Sequence, residues 1–174
     1  MELPYAFKRL KEELISECGL TQNSYDVNWE DWKKDYGDSL NSWKDFIWNL
    51  YQLLLTEYAK VFSSEPKQMY EWHRIIYGQM LSFLIAEGKN KTVALRGLTI
   101  CDLQLANLSL VKYKAVIIGN CCSECDAING KYYPLKDMLQ SSILPYSKCK
   151  RENGCICCYG FEAIRDENGK LLKK

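Results

Sequence analysis

Seven of the nine cysteines fall between Cys121 and Cys158: Cys121, Cys122, Cys125, Cys149, Cys155, Cys157 and Cys158. No other feature constrains the fold as strongly. Cys122-Ser-Glu-Cys125 has the C-x-x-C spacing of a zinc knuckle, in which a tight turn aims two thiolates at one ion. The cysteines downstream can close a tetrahedral all-sulfur site from a second turn. Cys122 pairs with Cys125 because the adjacent Cys121 would give the wrong ring size for a knuckle. The second pair has two readings. Cys155-Ile-Cys-Cys158 repeats the C-x-x-C spacing and needs nothing from Cys149. Alternatively, Cys149 pairs with Cys155 or Cys157 across the loop 150–154, where Gly154 lets the chain fold back. Free cysteines are often only small buried hydrophobes, but this density favours a metal. The odd total of nine argues against a fully paired disulfide framework.

Upstream, the apolar pattern is helical. Leu3, Phe7, Leu10, Leu14 and Ile15 predict a helix over 3–18 that stops at Gly19. Asn28 can cap a short helix starting at Trp29 and ending near Gly37. Ser39 or Ser42 can cap the strongest helix, whose stripe is Leu40, Trp43, Ile47, Leu50, Leu54 and Val61, widened by Trp48, Tyr51 and Leu55. Ser64-Glu-Pro66 restarts the chain, and Met69, Trp72, Ile76, Met80, Phe83 and Leu84 line the next helix as far as Gly88. Thr92 can cap a further helix to about Leu108.

The period changes after Leu110. Tyr113–Ile118 reads as a strand, Asn129-Gly130 as a two-residue hairpin turn, and Lys131–Tyr133 as the returning strand. Pro134 starts a short helix through Leu139, and Asn168-Gly169 marks a second hairpin between Tyr159–Arg165 and Lys170–Leu172. The expected fold is therefore α+β: an N-terminal helical bundle over 1–110, then a cysteine-rich, treble-clef-like β-hairpin module over 111–174. Its Zn2+ would be structural and would stabilise a module with a thin apolar core.

Charge separates the same two parts. Residues 1–110 carry 12 Lys+Arg against 15 Asp+Glu, whereas residues 111–174 carry 11 against 7. The overall net charge of +1 gives no reason to infer a strongly cationic nucleic-acid binder. The N-terminus lacks the basic and apolar blocks of a signal peptide, and no apolar run approaches a membrane span. The expectation is a cytoplasmic protein with reduced thiols and no membrane partner.

Cys122-x-x-Cys125-x-x-Ile128-Asn129-Gly130, with Leu144-Pro145-x-x-x-Cys149 and Gly154-Cys155-x-Cys157, resembles the zinc-binding end of phage Mu F-like head-morphogenesis proteins. It is closer still to a group of uncharacterised bacterial and phage proteins with the same element and a Gly-Cys-x-Cys ending. The likeness covers about residues 113–160. It implies zinc ligands from Cys122, Cys125, Cys149, Cys155 and Cys157, and favours Cys149 over Cys158. The chain departs from the phage pattern in lacking the His that usually precedes the last cysteines.

Catalysis finds little support in the residues. His73 is the one histidine, far from the knuckle and best read as a half-buried helix residue, so an HNH nuclease site cannot be built. The zinc-deaminase signature is absent too, and Glu124 inside the knuckle is expected to face solvent. Whichever of Cys121, Cys157 and Cys158 are not ligands could act as reactive thiols beside Lys148, Lys150 and Arg151, but no thioredoxin-like context surrounds them. Two binding readings remain. In one the module is a rigid platform for a protein partner, in a phage or mobile-element setting. In the other, Lys131, Lys148, Lys150 and Arg151, interleaved with Tyr132, Tyr133 and Tyr146, contact nucleic acid.

Overall fold

The computed structural model describes residues 3–119, 122–152 and 154–174. Helices dominate the N-terminal half, and a small antiparallel sheet and the cysteine cluster lie toward the C-terminus. The chain divides into two compact units, Met1–Glu87 and Gly88–Lys174.

The first unit contains α1 (Tyr5–Glu17), α2 (Gln22–Tyr36), α3 (Leu40–Val61) and α4 (Pro66–Ala86). α3 packs on α2 and α4, and α1 packs on α4. The α3 stripe is buried at Trp43, Ile47, Leu50 and Leu54, together with Phe46 and Tyr51. Each such side chain contributes on the order of 1.5–3 kcal/mol by leaving water. Val61, the last residue of α3, is 64% exposed, so the stripe ends before the helix does.

One local expectation changes here and one choice is settled. α2 starts earlier than predicted, because the Thr21 hydroxyl accepts from the Ser24 N–H at 3.0 Å and caps it there. Asn28 is consequently inside the helix, donating to the Ser24 carbonyl at 2.7 Å. Of the two candidate caps for α3, Ser39 is the one used, its hydroxyl accepting from the Ser42 N–H at 3.1 Å. Gly19 ends α1 with φ +69, and a Cβ there would lie 2.5 Å from the Tyr58 hydroxyl. That hydroxyl donates to the Cys18 carbonyl at 2.7 Å, so both the backbone conformation and the close approach call for glycine.

The second unit contains α5 (Thr92–Leu108), β1 (Tyr113–Ile118), the single turn α6 (Ser123–Asp126), β2 (Tyr132–Pro134), α7 (Leu135–Gln140) and β3 (Cys158–Ala163). The sheet order is β2-β1-β3, antiparallel throughout, with Ala115 opposite both Tyr133 and Phe161. α5 packs on β3 and α7, so the units divide at Glu87/Gly88 rather than at the change of periodicity after Leu110. Leu103 and Ala106 of α5 supply part of the apolar cluster that also holds Ala115, Ile117, Ile128 and Met138. Thr92 opens α5 instead of capping it, its N–H donating to Asn90 Oδ1 at 2.8 Å.

The two turn signals behave differently. Asn168-Gly169 closes a tight reversal in which Gly169 (φ +78) donates to Asp166 O at 3.0 Å. Asn129-Gly130 is not a two-residue loop. The connection from β1 to β2 also holds α6, and Gly130 (φ +72) returns the chain by donating to Ile117 O at 2.8 Å.

Candidate metal centre

The site is assembled from three chain segments. Leaving β1, the chain reaches Cys122 in extended conformation (φ −166, ψ 168) and then makes the turn of α6. One helical turn places residues three apart on the same side, and Asp126 N–H donating to Cys122 O at 2.8 Å closes it. Cys125 is thereby buried beside Cys122. The second segment is the turn in which Cys149 N–H donates to Tyr146 O at 3.1 Å. The third follows Gly154, whose φ of +82 reverses the chain.

Beyond Gly154, on the way into β3, burial alternates residue by residue as it does along a strand. Cys155 and Cys157 are each 3% exposed, while Ile156 is 44% exposed and Cys158 also faces out. This two-residue period is the reason the Cys155-x-Cys157 spacing, and not Cys155-x-x-Cys158, turns inward. Gly119 makes room for Cys157, whose sulfur a Cβ at that position would strike.

Two groups of thiols result. The sulfurs of Cys122, Cys125 and Cys149 lie within 4.8 Å of one another, and so do those of Cys125, Cys155 and Cys157. Cys125 belongs to both. The Cys122–Cys149 and Cys125–Cys155 sulfur separations are each 3.9 Å. A tetrahedral zinc thiolate with Zn–S near 2.3 Å has sulfurs about 3.8 Å apart, whereas a disulfide needs about 2.05 Å. None of the eight described cysteines is in a disulfide. The arrangement can therefore hold a metal ion. Cys121 lies outside the described residues.

The electrostatics favour thiolate at the exposed edge. The N–H of Lys150 points at the Cys122 sulfur, 3.5 Å away. With the N–H of Cys125 it lowers the Cys122 thiol to about 6, against a smaller opposing effect of burial. Glu124 does not simply face solvent: its carboxylate pairs with the Lys150 ammonium at 2.8 Å, tying the knuckle to the Cys149 turn. The ion pair holds the Glu124 carboxyl below its usual range. Lys131 and Lys148 are exposed and Arg151 half-buried on the surrounding loops.

A contact invisible to residue spacing supports the second segment. The Tyr159 hydroxyl accepts from Ile143 N–H at 3.0 Å and Leu144 N–H at 3.3 Å, and donates to Met138 Sδ at 3.3 Å. It anchors the start of the loop that leads through the cis Leu144–Pro145 bond toward Cys149. A tyrosine in an alternating strand carries no sequence signal for this role.

His73 belongs to the first unit, half-buried, with Nε2 2.9 Å from Leu55 O, and burial lowers its pKa. Trp43 is fully buried, and the other tryptophans pack against neighbouring rings, Trp29 and Trp32 on Phe46, Trp48 on Phe83 and Trp72 on Tyr58. No helix among the described residues is long and apolar enough to cross a membrane. Searches for relatives return no matching family model, no matching curated protein and no matching solved structure.

Proposed function

We propose that Gly88–Lys174 is a treble-clef-like module built on a structural zinc centre of four cysteines, and that it serves as a rigid platform for a protein partner. The observation that carries the metal reading is the sharing of Cys125 by two close thiol groups drawn from three chain segments. Soft, all-sulfur donors suit zinc, and a full set of protein ligands leaves no position for a reacting water. A stabilising role follows, not a catalytic one. Cys122, Cys125 and Cys149 supply three ligands, and Cys155 is favoured as the fourth by its 3.9 Å approach to Cys125. The phage or mobile-element assembly setting rests on the resemblance of the Cys122–Cys157 pattern alone.

The test is elemental analysis of reduced, full-length protein, with cobalt substitution to read the coordination. One tightly bound ion per chain with the absorption of tetrahedral cobalt thiolate is expected. Metal-free protein of undiminished thermal stability would remove the proposal.

A further inference from the structure

A second surface of the same unit lies apart from the thiols in its lining. An open groove of about 520 Å³ is bordered by Lys112 just before β1 and Lys114 within it, by Tyr132 and Tyr133 of β2, and by Lys136 at the start of α7. That volume lies within the range of small-ligand clefts. No carboxylate side chain is among its described lining residues. Glu162 approaches one edge, 3.4 Å from the Lys114 ammonium. Lys112 and Lys136 make no ion pair with a described residue and are exposed. The unit as a whole carries 14 Lys+Arg against 8 Asp+Glu, so the uncompensated charge is not offset elsewhere on it.

The aromatic wall is also available. Tyr132 is 53% exposed on the edge strand, and Lys114 Nζ sits 4.1 Å from its ring centroid. The Tyr132 hydroxyl is hydrogen-bonded to Glu162, which also pairs with Lys114, so both groups are fixed at this edge of the groove. Register explains the juxtaposition: Lys114 pairs with Pro134 and Val116 with Tyr132, which puts Lys114 of β1 alongside the tyrosines of β2.

We infer that this groove binds a nucleotide unit, its phosphate held by Lys112 and Lys136 and its base stacked on Tyr132 or Tyr133. Ammonium groups beside ring faces match a ligand that presents a phosphate and a π surface together. An acidic peptide offers the charge but has no use for the aromatic wall. The groove is not the basic surface predicted from residue order, since Lys131, Lys148, Lys150 and Arg151 do not line it and Lys150 is engaged by Glu124. The inference stands apart from the zinc reading.

The purified, reduced protein is titrated with a fluorescent single-stranded 12-mer, with a nucleoside monophosphate and with an acidic peptide of matched charge, at two salt concentrations. Binding of the 12-mer alone identifies a polymer as the source of the nucleotide; binding of the monophosphate as well identifies a free nucleotide site. Lys112→Glu/Lys136→Glu should weaken either at least tenfold. For the 12-mer it should also flatten the salt dependence by about 0.7 in log–log slope per lysine lost. Tyr132→Leu should weaken binding about fivefold or more with the slope unchanged, as loss of stacking does. Thermal midpoints of both variants should stay at the parent value. Failure of both nucleotide ligands to bind, equal binding of the acidic peptide, or a larger loss in Lys148→Glu/Arg151→Glu than in the groove variants would each overturn the inference.

Discussion

Lys150 meets the Cys122 turn at two points: its backbone N–H points at the Cys122 sulfur from 3.5 Å, and its ammonium pairs with Glu124, two residues further along. One residue thus joins the knuckle to the loop that brings Cys149, and it favours the charged form of the thiol it touches. The knuckle is electrostatically prepared for a cation before any ion arrives.

The pH dependence of metal uptake follows. A thiol lowered from 9.0 to about 6 is already deprotonated at neutral pH. Its charged form contributes to apo-protein stability fully above pH 9, and that contribution is lost as pH falls through 6. Binding zinc near pH 7.5 should therefore release fewer protons than there are ligand thiols, and near pH 5.5 about one more. Calorimetry in buffers of different ionisation enthalpy measures the count. Release of one proton per ligand at pH 7.5 would sink the assignment of Cys122 as a pre-formed thiolate.

Membership of both thiol groups makes Cys125 the cysteine whose loss is least replaceable. Cys125→Ser should abolish stoichiometric metal binding and cost about 4 kcal/mol or more, the scale of losing a structural metal. Cys155→Ser should do less harm, because Cys157, two residues along the same segment, is also a buried neighbour of Cys125. Cys158→Ser, altering an outward side chain, should leave one metal per chain and stability within about 0.5 kcal/mol. Metal counting and thermal unfolding across the series check the ranking, and a Cys158→Ser protein without metal would reverse it.

Tyr159→Phe removes one oxygen and strands two N–H groups. Ile143 and Leu144 lose their acceptor, and Leu144 is buried. An unsatisfied buried polar group costs about 1–3 kcal/mol, so urea unfolding should show a loss in that range. A change smaller than about 0.5 kcal/mol would mean the loop finds other partners.

How far the sequence speaks depends on the range of the interaction. Tyr113–Ile118 is legible as a strand because its β-branched, apolar run is local, and the α3 stripe because helical periodicity is local too. The choice of Cys157 over Cys158 as the inward thiol is also local, a matter of strand alternation, yet C-x-x-C spacing points equally well to the outward one. The Glu124–Lys150 pair and the Tyr159 anchor join residues well separated in the chain, and spacing carries no trace of either. The start of α2 escapes the sequence because Thr21 and Asn28 are both plausible caps, and the bond that decides between them is the one from Ser24. The affiliation of α5 escapes it because its periodicity matches that of the bundle helices, whereas its packing partners, β3 and α7, come later in the chain.

That affiliation gives the last prediction. All five tryptophans, Trp29, Trp32, Trp43, Trp48 and Trp72, lie in the first unit, so tryptophan fluorescence reports on it alone. Zinc chelation should leave that signal and its thermal transition unchanged, because the Trp43 Nε1–Tyr25 Oη hydrogen bond of 2.7 Å and the rings around it owe nothing to sulfur. Hydrogen exchange under the same conditions should divide the helices unevenly. Amides of α5 over Thr92–Leu108 should lose protection together with β1 and β3, since Leu103 and Ala106 share a core with Cys125, Cys155 and Cys157. Amides of α1, α3 and α4 should keep theirs. Were α5 to stay protected with the bundle while the sheet opened, the cooperative boundary would lie near residue 110, and the metal would support the cysteine loops and sheet without the helix packed on them.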